Sequence, residues 1–61
     1  MKTRRDWMEE ADTMVYELKN VGSEVTFETV LEEVEAVGES REYAEELWYY
    51  CERILDGAAI D

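Results

Sequence analysis

The sequence predicts an all-α fold: a compact three-helix domain with helices over about 6–21, 27–37 and 41–56. Three observations carry this reading. Apolar residues recur at helical spacing in three segments, a residue able to cap a helix precedes each one, and a glycine closes each one. A chain of 61 residues with no proline and no Gly/Ser-rich linker is expected to form a single small acidic helical domain over residues 1–61.

In the first segment, Asp6 is the expected N-cap, with Glu9 as its capping-box partner, and Gly22 supplies the left-handed closing position. Its apolar stripe reads Trp7, Ala11, Met14, Val15, Leu18 and Val21, with Met8 at the margin. Thr26 caps the second helix, Val25 and Val30 are spaced as a hydrophobic staple, and Gly38 ends it. Phe27, Val30, Leu31, Val34 and Val37 share one face of that helix. Ser40 caps the third helix, whose apolar positions are Tyr43, Ala44, Leu47, Trp48, Tyr50, Cys51, Ile54 and Leu55. Its opposite face carries Arg41, Glu42, Glu45, Glu46, Tyr49, Glu52 and Arg53. Gly57 closes the helix, leaving Ala58-Ala59-Ile60 as an apolar tail or one edge strand.

The link Gly38-Glu39-Ser40 between the second and third helices is as tight as a helix-turn-helix or an αα-hairpin requires. Three stretches carry a family resemblance: Thr26-Phe27-Glu28-Thr29-Val30-Leu31-Glu32-Glu33, then Gly38-Glu39-Ser40-Arg41-Glu42-Tyr43, then Ile54-Leu55-Asp56-Gly57-Ala58-Ala59-Ile60. Together, over residues 25–60, they resemble the helix-turn-helix part of small winged-helix domains, especially those appended to archaeal replication and transcription proteins. The resemblance implies a helix-turn-helix arrangement of the second and third helices, with a wing beginning near Ile54. The sequence departs from that pattern where base reading would occur. The third helix presents Glu42, Glu45, Glu46 and Glu52 beside only Arg41 and Arg53, and the 61 residues end where a wing would start. The scaffold is therefore expected to serve protein contacts. The alternative is a degenerate winged-helix regulator that binds DNA as a dimer or with a partner chain.

Charge narrows the function further. Seventeen Asp and Glu face six Lys and Arg, a formal net charge of −11. Such a surface repels phosphate backbones and anionic leaflets, so direct binding to nucleic acid or membrane is not expected. The complementary partner is a basic surface of a larger protein. In its sharpest form the expectation is a nucleic-acid mimic, with helical carboxylates standing in for phosphates to inhibit a DNA- or RNA-binding protein of the phage or plasmid type. High intracellular salt also selects acidic surfaces, and Lys2 and Lys19 are the only lysines, but glutamate far outnumbers aspartate here where salt adaptation favours more aspartate.

The residues offer little chemistry. Without histidine, a general base near neutral pH would have to be a carboxylate or Cys51, and Cys51 falls within an apolar stripe. One cysteine excludes an intrachain disulfide and, with no histidine, the Cys/His zinc spacings. The pairs Glu9-Glu10, Glu32-Glu33 and Glu45-Glu46 project about 100° apart on a helix and cannot chelate together. EF-hand spacing and glycine-rich phosphate loops are absent from the sequence. No enzyme activity, catalytic residue, metal or cofactor is expected. Tyr16 and Tyr49 project onto charged faces as interface anchors, which completes the expected partner-binding set Glu42, Glu45, Glu46, Tyr49, Glu52 and Tyr16. The wide apolar arc of the third helix adds homodimerisation as a secondary expectation. The charged N-terminus and the lack of a long apolar run predict a cytoplasmic protein.

Overall fold

The computed structural model describes residues 1–57, which form α1 (Arg4–Asn20), α2 (Phe27–Ala36) and α3 (Arg41–Leu55). The expected tail or edge strand at residues 58–60, the last three residues of the stretch where a wing would start, lies outside the described residues. Three helices and their order are as predicted. The start of α1 is not. Thr3, not Asp6, is its N-cap: the Thr3 hydroxyl accepts from the Asp6 backbone N–H at 3.2 Å, and the Asp6 carboxylate accepts from the Thr3 N–H at 3.0 Å. Asp6 thus fills the third position of the capping box, where its charge also lies at the positive end of the helix dipole. Both residues can cap. The earlier box wins because it satisfies two orphan donors reciprocally and adds most of a helical turn.

Thr26 and Ser40 cap α2 and α3 as predicted. The Thr26 hydroxyl accepts from the Thr29 N–H at 3.3 Å, the Thr29 hydroxyl answers the Thr26 N–H at 3.0 Å, and the Ser40 hydroxyl accepts from the Tyr43 N–H at 3.2 Å. At the other ends of α1 and α2 the chain reverses through paired bonds: Ser23 N–H to the Leu18 carbonyl with Gly22 to Lys19, and Glu39 N–H to the Val34 carbonyl with Gly38 to Glu35. These are Schellman closures, and they demand the left-handed backbone that Gly22 (φ +77°) and Gly38 (φ +88°) adopt.

Packing is organised around α3. Both α1 and α2 lie against it and make almost no contact with each other, which leaves a flat molecule with Cα extents of 28 × 27 × 13 Å. The core joins Ala11, Val15 and Leu18 of α1 to Val30 and Val34 of α2 through Ala44, Leu47 and Cys51 of α3. Small side chains at Ala11 and Cys51 allow close approach, and the Cys51 thiol reaches the Ala11 carbonyl oxygen at 3.9 Å. Aromatic pairs flank this core. Trp7 of α1 meets Tyr43 and Tyr50 of α3 at centroid distances of 4.9 and 6.0 Å, and Phe27 of α2 meets Trp48 of α3 edge-on at 6.5 Å.

Four stripe assignments are corrected. Met8, expected at the margin, is buried, because it lies two turns before Val15 on the same line of the helix. Val21 and Val37, expected in the stripes, are each 76% exposed, and Leu55 is also exposed. The two valines do follow the stripe direction, but each sits at the C-cap, where no element among the described residues covers it. Leu55 is the last residue of α3.

Candidate functional site

Steps of three and four residues carry Glu42, Glu45, Glu46, Tyr49 and Glu52 along one face of α3, turned away from the buried line Ala44, Leu47 and Cys51. All five are exposed, and Glu42, Glu45, Glu46 and Tyr49 together line a shallow surface depression. Glu45 pairs with Arg41 at 3.4 Å across one turn. Among the described residues, Glu42, Glu46 and Glu52 have no ion-pair partner, so the face keeps most of its negative charge.

Tyr49 stands 53% exposed amid these carboxylates. Its ring is braced edge-on by Tyr50 at 5.0 Å, with the Arg53 guanidinium 5.9 Å from its centroid. That bracing holds a large amphipathic surface in place before any partner arrives, which lowers the ordering cost of a contact. Tyr16 is placed elsewhere. It is 69% exposed on α1, and it lines neither the α3 depression nor the space between α1 and α2.

The sequence reading missed a second surface. Because α1 and α2 splay apart over α3, a groove runs between them in two connected sections of about 350 and 270 Å³ that share Met14, Glu17 and Glu33. Leu18, Val34 and Leu47 form its buried base, and Met14, Val21, Val37 and Tyr43 give it accessible apolar surface. Carboxylates of Glu10, Glu17, Glu33 and Glu39 border it. The signal was present in the sequence. Val21-Gly22 and Val37-Gly38 each put a stripe residue at the point where its helix stops.

At one end of the groove the Tyr43 hydroxyl donates to the Glu10 carboxylate at 2.6 Å, and Lys2 forms an ion pair with Glu10. The Lys2 ammonium also lies 4.4 Å from the Trp7 ring centroid and 4.8 Å from that of Tyr43. The Tyr43 hydroxyl is raised above its ordinary value, first by burial and then by the charge of Glu39. Burial pushes the Cys51 thiol up to about 11, so it carries little thiolate near neutral pH. No cluster of three or more metal-ligating side chains occurs among the described residues, and no helix there is long and apolar enough to cross a membrane. No protein-family model, curated protein or solved structure matches this chain.

Proposed function

We propose that this protein is a non-enzymatic interaction module whose α3 face docks on a basic surface of a larger protein. The observation that supports the reading is the run of Glu42, Glu45, Glu46 and Glu52 around the braced, exposed Tyr49, with three of these carboxylates unpaired among the described residues. Spread carboxylates raise the association rate toward a positive surface, and a rigid aromatic at their centre slows release. In the sharper form of this proposal the partner is a DNA- or RNA-binding protein, and the carboxylates occupy the places of phosphates and so inhibit it.

The test is capture from an extract of the source cell on the immobilised protein at two salt concentrations, with bound protein and nucleic acid identified. Recovery of a basic nucleic-acid-binding protein at low salt, and its loss both at high salt and from Glu45→Lys/Glu46→Lys, is the expected result. Direct recovery of nucleic acid would replace this reading with the DNA-binding regulator suggested by the helix-turn-helix resemblance.

A further inference from the structure

The groove between α1 and α2 calls for a different occupant from the flat α3 face. Its apolar surface is the continuation of two core stripes. On α1, Met14 and Val21 stand two turns apart on one line, and on α2, Val37 extends the line of Val30 and Val34. Each line stays apolar through its C-cap residue, Val21 after α1 and Val37 after α2. Val21 lines one section of the groove and Val37 the other, each 76% exposed, so both sections carry apolar surface open to a partner. The gap between two splayed helices lying on a third has the form that accepts a helix laid into a groove.

The rim decides what kind of helix. Glu17 and Glu33 border both sections of the groove and Glu39 borders one, and none of the three has an ion-pair partner among the described residues. Glu10, at the end, is already engaged by Lys2 and Tyr43. A second copy of this chain is a poor occupant, since it would bring another formal −11 against the same carboxylates. A segment with a narrow apolar stripe flanked by lysine or arginine matches both the floor and the rim.

We infer that this groove binds an amphipathic, basic helical segment of a partner protein, with one or two apolar side chains seated against Met14, Val21 and Val37 and flanking cations paired with Glu17 and Glu33. The inference is independent of the α3 reading. Either surface can fail without the other.

The test is an amide chemical-shift titration of the labelled protein with a synthetic helical peptide of about fifteen residues that carries a leucine stripe and flanking lysines. A peptide of the same composition with its leucines scattered off the stripe serves as control. Saturable shifts at Met14, Val21, Glu33 and Val37, absent with the scattered peptide, are expected. Glu17→Lys/Glu33→Lys should weaken binding by about tenfold or more, and Val37→Ser should also weaken it, whereas Glu32→Lys/Glu35→Lys, an equal charge change at exposed positions of α2 that line neither the groove nor the α3 depression, should weaken it far less. All three are exposed-site variants, and their helical circular dichroism is checked first. Equal binding of the scattered peptide, equal weakening by both charge-reversal variants, or shifts confined to α3 would overturn the proposal. So would a doubled mass of the free protein with these same amides protected, which would make a second copy the occupant.

Discussion

The hydroxyl of Tyr43 donates to the carboxylate of Glu10 at 2.6 Å, a bond between residues 33 positions apart that fastens the first turn of α3 to the second turn of α1. Lys2 pairs with the same carboxylate, so the N-terminus is drawn onto this junction. Tyr43→Phe keeps the ring against Trp7 and removes only the bond. A loss of about 1 kcal/mol is expected, read as a lower urea midpoint with an unchanged slope. In a domain of this size that corresponds to a fall in melting temperature of about 4–8 °C.

Alkaline pH should destabilise the fold through α3. The folded state holds the Cys51 thiol proton up to about 11, whereas the ordinary value is 9.0. A raised folded value means that the contribution is complete below pH 9 and is lost as pH climbs from 9 to 11. Tyr43, also raised, acts in the same direction above its ordinary 10.0. Urea midpoints measured across this range should decline, and Cys51→Ala should flatten the part between 9 and 11. At about pH 8 the native thiol should resist iodoacetamide and react once urea has unfolded the chain.

Leu47 and Val37 should respond very differently to truncation, although both lie along apolar lines in the sequence. Leu47 is fully buried at the centre of the core, so Leu47→Ala is expected to cost about 2–5 kcal/mol, enough to unfold a large fraction of molecules. Val37→Ala should stay within about 0.5 kcal/mol of the parent. Thermal unfolding by circular dichroism separates the two.

Capping gives a further contrast. Thr26→Ala removes the acceptor for the Thr29 N–H and should cost about 1 kcal/mol, while Thr26→Ser should restore most of it. At the start of α1, bonds from the Thr3 backbone and side chain hold the Asp6 carboxyl below its ordinary 3.8. A lowered folded value stabilises above the unfolded one and is lost as pH falls through it, so the first turn of α1 should fray in acid. Amide exchange at Asp6 and Trp7 should report this before global unfolding.

Tyr49→Ala should leave stability nearly intact, because the ring is more than half exposed. Against the partner captured under Proposed function it should raise the dissociation rate. Glu46→Gln should instead lower the association rate and weaken its salt dependence. Surface-binding kinetics at two salt concentrations distinguish these effects, and an unchanged dissociation rate for Tyr49→Ala would remove it from the interface.

The three helices, the caps at Thr26 and Ser40 and the glycine closures were legible in the sequence because each depends on atoms within about five residues of one another. The misplaced start of α1 belongs to the same local physics: Thr3-Arg4-Arg5-Asp6 contains a capping box that competes with one beginning at Asp6. The charged face of α3 was legible too, since helical periodicity alone sets the direction of Glu42, Glu46, Tyr49 and Glu52. Periodicity gives a direction and says nothing about what arrives there. Only the tertiary arrangement decided that Tyr43 finds Glu10, that Tyr16 stands apart from the α3 face, and that Met14, Val21 and Val37 line a groove between two helices. The physical reason is that α1 and α2 both spend their apolar faces on α3 and almost none on each other, leaving between them a groove that no local interaction encodes.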